Sequence, residues 1–123
     1  MRGPFRPGAP RGGRDPRGIG GPSDAVRLAR ARGEVLVEFY TRPGCHLCDD
    51  ARATVTATTE RTGARVVEID ITSDEGLVRR FGEDVPVVFV DGRPHAKWFV
   101  DGAKLEADIE RARSPRRRDR DHE

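Results

Sequence analysis

The chain has 123 residues, 35% of them hydrophobic and 36% charged, with a formal net charge of +2. At that length it holds one small domain. No run approaches the roughly 20 apolar residues of a membrane span, no apolar stretch of the secretory type follows the Arg-rich start, and two cysteines exclude both a disulfide-rich scaffold and a four-cysteine zinc site.

Composition and charge divide the chain. Twelve of residues 1–22 are Gly or Pro, too few apolar groups to offset their ordering entropy. Residues 1–33 carry eight Arg against two Asp, whereas residues 34–113 carry eleven basic against sixteen acidic residues. The basic character therefore belongs to the ends. Three segments are expected: a disordered tail over 1–33, a folded domain over 34–113 and a disordered charged tail over 114–123. An acidic domain is a poor nucleic-acid binder. Arg11-Gly12-Gly13-Arg14 looks like the RGG segments that bind RNA, although an Arg-biased tail produces one such copy by composition alone.

Within the tail, Ser23 is placed to cap a short helix over 24–32 that Gly33 ends. Residues 34–41 are β-branched and aromatic and read as a strand, with Val35, Val37 and Phe39 on one face and Leu36, Glu38 and Tyr40 on the other. Arg42-Pro43-Gly44 breaks it. The spacing from Cys45 to Arg61 predicts a helix, with Cys48, Ala51, Val55 and Thr59 on one stripe and Gly63 as its stop. Residues 65–71 read as a second strand. Thr72 and Glu75 fit a capping box for a helix over 73–81, whose apolar side is Leu77, Val78 and Phe81. Residues 86–90 form a third strand, Asp91-Gly92 a hairpin turn, and residues 94–100 a fourth strand. A last helix spans 103–113, with Leu105, Ile109 and Ala112 inward. The order is β-α-β-α-β-β-α, an α/β fold. A crossover makes the first two strands parallel and the hairpin makes the last two antiparallel, giving a mixed four-stranded sheet with helices on both faces.

Cys45-His46-Leu47-Cys48 is a C-x-x-C at a strand-to-helix junction, the context of a thioredoxin-like redox motif. At a helix start, free N–H groups and the positive dipole end favour a thiolate. A free thiol with a pKa of about 8.5 is only a few per cent thiolate at neutral pH, so this placement matters. Cys45 is then the exposed nucleophile and Cys48, almost one turn on, the buried resolving thiol. Arg42 and His46 are placed to add positive charge, though His46 reads equally as an exposed loop residue. Other readings of the pair stand beside this one: inert buried thiols, as in a binding module that works without turnover, or a metal or iron–sulfur carrier, where a zinc half-site would be completed from His46, His95 and His122. With no export signal, the cytoplasm is the expected compartment, where a cysteine pair is more often catalytic or metal-binding than structural. Pro86 suits a strand start, and from the residues alone its peptide bond reads as trans. Trp98 reads as core and His95 as an exposed strand residue, against the alternative that both line the site.

Val37-Glu38-Phe39-Tyr40-Thr41-Arg42, followed by Cys45-x-x-Cys48, resembles the first strand and active site of glutaredoxins. Val85-Pro86-Val87-Val88-Phe89-Val90-Asp91-Gly92 is similar to their cis-proline strand and turn. Thr41-Arg42-Pro43-Gly44-Cys45-x-Leu47-Cys48, with Asp91-Gly92-Arg93-x-His95-x-x-Trp98, resembles more closely a short bacterial glutaredoxin-like family. The resemblance spans about residues 34–112. It implies a thioredoxin-like fold, a monomer, and thiol–disulfide exchange through a Cys45–Cys48 disulfide. It also implies a cis Val85–Pro86 bond beside the cysteines, with the Val85 backbone pairing with an extended substrate or glutathione. Tyr40, Arg42 and His46 then surround the substrate. Glu38 becomes either a partly buried acid that tunes Cys48 or a plain exposed strand acid. No tightly bound cofactor is implied.

Three positions depart from the glutaredoxin pattern. His46-Leu47 replaces Pro-Tyr, and Asp84 replaces the Thr before Val-Pro. Asp101-Gly102 replaces the Gly-Gly pair whose amides hold a glutathione carboxylate. A carboxylate at Asp101 repels that ligand group, which leaves a disulfide-containing protein as the other expected partner.

Overall fold

The structure, a computed structural model, describes residues 23–113. The RGG-like segment, His122 and the expected charged tail over 114–123 lie outside those residues. The chain runs α1 (Asp24–Ala31), β1 (Leu36–Thr41), α2 (His46–Thr62), β2 (Arg65–Asp70), a single 3-10 turn (Ile71–Ser73), α3 (Glu75–Phe81), β3 (Val87–Val90), β4 (Arg93–Lys97) and α4 (Gly102–Arg113). One sheet of order β2-β1-β3-β4 forms the middle layer. β1 pairs β2 in parallel and β3 antiparallel, and β4 completes the sheet antiparallel to β3.

β1 is buried at every position because helices cover both of its faces. On one face Val35, Val37 and Phe39 meet Val88 and Val90, under Ala51 and Val55 of α2 and Leu105, Ile109 and Ala112 of α4. On the other, Tyr40, Val87 and Phe89 meet Ile71, Leu77 and Phe81, and Cys48 joins this second cluster. The expected α2 stripe is thus the buried one. Gly63 ends α2 in the left-handed region (φ 78°), as its position predicts. Asp91 and Gly92 both take positive φ, the backbone that a two-residue hairpin of this twist requires.

Three elements add to or differ from the sequence reading. The helix expected over 24–32 forms and docks: Val26 and Ala29 bury against Leu36. Ser23 Oγ accepts from Val26 N and donates to Glu38 Oε2 at 3.2 Å. The Arg30 guanidinium grips the buried Asp91 carboxylate and also its carbonyl. Small residues at the right spacing suffice because polar clamps hold both ends of the helix.

α3 is capped by Asp74, which accepts from Gly76 N and Leu77 N. Thr72 is instead held by Asp70 through its amide and hydroxyl. Val78 is exposed, since only Leu77 and Phe81 fall on the inward face of so short a helix. β4 stops at Lys97 because Trp98 takes φ 71°, which a strand cannot contain.

Candidate active site

The site sits where β1 ends and α2 begins. Gly44 takes φ 75° and turns the chain out of β1, a conformation that glycine adopts without strain. Cys45 follows as the N-cap of α2. Its Sγ accepts a hydrogen bond from Cys48 N at 3.1 Å, where a Ser or Asp side chain normally sits. The structure pairs Cys45 and Cys48 as a disulfide, with Cα atoms 5.2 Å apart. Cys45 is half-buried and Cys48 is 0% exposed. The two sulfurs therefore differ in access, in the sense expected of an attacking and a resolving thiol.

Pro86 is fully buried and follows a cis peptide bond from Val85. The resemblance implies this isomer, and it reverses the trans reading taken from the residues alone. Val85 belongs to the apolar cluster that contains Cys48, and Cys45 packs against that cluster. Pro86 O accepts from Trp98 N at 2.8 Å. Among the described residues, no hydrogen bond engages the backbone of Val85.

The other expected site residues are placed variously. His46 is exposed on the first turn of α2, and Arg42 is exposed with its Nη1 donating to Gly82 O at 2.8 Å. That bond ties the active-site loop to the end of α3. Tyr40 is buried, with its ring centroid 4.9 Å from Phe81 and 5.9 Å from Phe89. It supports the site from beneath, and its side chain does not line the surface around Cys45. Glu38 is 3% exposed, so it is not a plain exposed strand acid.

The reading of Trp98 as core and His95 as exposed is reversed. Trp98 is 42% exposed because it lies beyond the end of β4. The His95 ring is buried, with Nδ1 2.5 Å from Asp108 Oδ2 of α4, a partner that removes the cost of burying it. Among the described residues, no group of three or more His, Cys, Asp or Glu side chains is arranged to hold a metal ion. The zinc reading also named His122, which lies outside them.

Sequence reasoning missed the polar bracing of the site. Arg52 of α2 donates to Glu68 of β2 through Nη2 at 2.6 Å and Nε at 3.0 Å, and to Asp49 through Nη1 at 2.8 Å. Thr41 Oγ1 donates to the same Glu68 carboxylate. The Arg52 guanidinium and then the Thr41 hydroxyl hold the Glu68 carboxyl below its ordinary range, and Glu68 in turn raises the Arg52 pKa further. These bonds join α2, β1 and β2 close to the cysteines. Only the i, i+3 spacing of Asp49 and Arg52 was visible in the sequence. Asp101 was also missed as a cap: its Oδ1 accepts from Ala103 N at 2.9 Å and Lys104 N at 3.2 Å at the start of α4.

Residues 36–110 match the family model described as Glutaredoxin-like domain (DUF836). The chain belongs to this glutaredoxin-like family. Uncharacterized protein Rv0508 of Mycobacterium tuberculosis is 37% identical over 81 residues, which cover 62% of this chain and 84% of that protein. The "Glutaredoxin-like protein YDR286C homolog" of Dictyostelium discoideum is 31% identical over 82 residues, covering 62% of this chain and 76% of that one. Among solved structures, protein XcR50 from X. campestris is 32% identical with a TM-score of 0.50, over 60% of this chain and 95% of that chain. Protein Ne2328 from Nitrosomonas europaea is 26% identical with a TM-score of 0.54, over 62% and 92%. Chloroplastic thioredoxin z, at 14% identity and a TM-score of 0.57 over 72% and 88%, shares the fold. The glutaredoxin-like domain thus has the thioredoxin-like architecture. Among its described residues, no helix is long and apolar enough to cross a membrane.

Proposed function

We propose that this glutaredoxin-like domain is a dithiol–disulfide oxidoreductase. In the reduced protein the Cys45 thiolate attacks one sulfur of a substrate disulfide. A mixed disulfide forms, and the first substrate thiolate leaves and takes up a proton. Cys48 then loses its proton and attacks Cys45 Sγ. The second substrate thiolate is released, and the Cys45–Cys48 disulfide closes. Two electrons pass from the protein to the substrate, and a second dithiol, or two small thiols, must return them. The Val85 backbone, unpaired among the described residues and part of the apolar cluster against which Cys45 packs, suits an extended substrate segment held by strand addition.

The observation that carries this reading is the position of Cys45 Sγ as the cap of α2. The Cys48 amide donates to it, and that bond strengthens when the sulfur carries negative charge. Cys45 is the accessible member of the pair and Cys48 the shielded one, which suits attack by the first and resolution by the second. The substrate is a disulfide of a protein or of glutathione, and a reducing compartment such as the cytoplasm suits the cycle.

Two variants test it. Cys45→Ser should abolish reduction of any disulfide. Cys48→Ser should stop after the first step and accumulate a mixed disulfide at residue 45, visible by intact mass. Turnover by Cys45→Ser equal to that of the unmodified protein would sink the proposal.

A further inference from the structure

β4 ends in an unusual turn. Trp98 takes φ 71°, a backbone region in which a bulky side chain is a genuine outlier. Three contacts hold it there. Its amide donates to Pro86 O at 2.8 Å, its indole Nε1 donates to Glu83 O at 3.2 Å, and Lys97 Nζ sits 4.7 Å from the ring centroid. Lys97 also lies 3.8 Å from Asp84. Trp98 is therefore tied to residues 83 and 86, through its indole and its amide, on either side of Val85, whose backbone is unpaired among the described residues. Despite these bonds the ring stays 42% exposed, and Phe99 beside it is 72% exposed. Two adjacent aromatic side chains thus stay at the surface, and Trp98 is bonded to the loop that carries Val85.

We propose that Trp98 and Phe99 form an aromatic ledge that selects a polypeptide substrate with an apolar side chain next to its disulfide cysteine, in preference to glutathione. This rests on the oxidoreductase reading above and names the substrate class of the same site. The occupant follows from continuity. An extended chain that pairs with Val85 runs alongside residues 83–86, to which Trp98 is bonded. A neighbouring apolar residue on that chain then covers the two rings. Glutathione carries no large apolar side chain to cover them. Its carboxylates also find the first amides of α4 already occupied by Asp101.

The test uses the reduced full chain in single turnover, so that no added reductant is needed. Three substrates are compared: a disulfide-closed peptide with Phe beside the attacked cysteine, the same peptide with Asp there, and 2-hydroxyethyl disulfide as a small reference. The unmodified protein should prefer the Phe peptide to the Asp peptide. The ratio of its rate constant on the Phe peptide to that on the reference should fall about tenfold in Trp98→Ala and in Phe99→Ser, the scale of one apolar contact. Phe99→Ser guards against a loop disturbed by loss of the indole bond, and Phe99→Leu should restore most of the ratio. No preference in the unmodified protein, or a ratio that neither variant moves, would overturn the ledge while leaving the oxidoreductase reading intact. No exchange with any of the three disulfides would overturn both.

Discussion

The first turn of α4 offers a sharp test of how this site treats glutathione. Asp101 Oδ1 accepts two backbone N–H bonds there, from Ala103 and Lys104. The carboxylate thus does for the helix what an external anion would do at the same amides. Asp101→Gly frees both donors and removes a like charge. An N-cap change of this kind costs a few tenths of a kcal/mol, because glycine is itself a tolerated cap. A ligand carboxylate taking up the freed amides gains a charge-assisted contact of about 1.5–3 kcal/mol, which corresponds to roughly ten- to a hundredfold in affinity. The assay is the concentration dependence of mixed-disulfide formation between glutathione disulfide and the Cys48→Ser protein, with and without Asp101→Gly. The half-saturating concentration should fall by about tenfold or more, while the urea midpoint moves only slightly. An unchanged or higher half-saturating concentration would refute the idea that Asp101 occupies a carboxylate site.

Three further outcomes follow from the packing and charges. Glu68→Gln should cost about 1 kcal/mol in urea unfolding at pH 7, a figure kept low because Arg52 and Glu68 are each about 40% exposed. The Glu68 carboxyl is held below its ordinary range by Arg52 and Thr41, so its contribution is present above the unfolded pKa and is lost as pH falls through the folded one. The gap between variant and parent should therefore narrow at low pH, and a gap that is as wide at pH 2.5 as at pH 7 would contradict this. Arg30→Met strands the Asp91 carboxylate, 3% exposed. It should destabilise the protein by about 2–3 kcal/mol in the same assay, with Asp91→Asn recovering part of the loss. Leu105→Ala empties a wholly buried position between α4 and the sheet and should lower stability by about 3 kcal/mol.

The element order and the reactive pair were legible because they rest on local signals. Strand alternation, the Gly63 stop, the Asp91-Gly92 turn and the C-x-x-C at a strand end each act within a few residues. Features set by distant partners were not legible. Nothing near His95 announces that Asp108, thirteen residues on, will accept its ring and so allow it to be buried. Trp98 carries the composition of a core residue, yet its bonds to Glu83 and Pro86 hold it at the surface. The helix at 24–31 lacks bulky residues, and its docking depends on Ser23 meeting Glu38 and Arg30 meeting Asp91. The cis bond at Pro86 came from the family resemblance, since an isolated Val-Pro pair favours trans.

The most direct test of the redox assignment is competitive alkylation. The fully reduced protein is exposed to limiting iodoacetamide at pH 7, and the labelled cysteine is read by peptide mass spectrometry. Cys45, at the helix start and accessible, should be modified at least about tenfold faster than the buried Cys48. Equal labelling of the two, or faster labelling of Cys48, would contradict the assignment of Cys45 as the nucleophile.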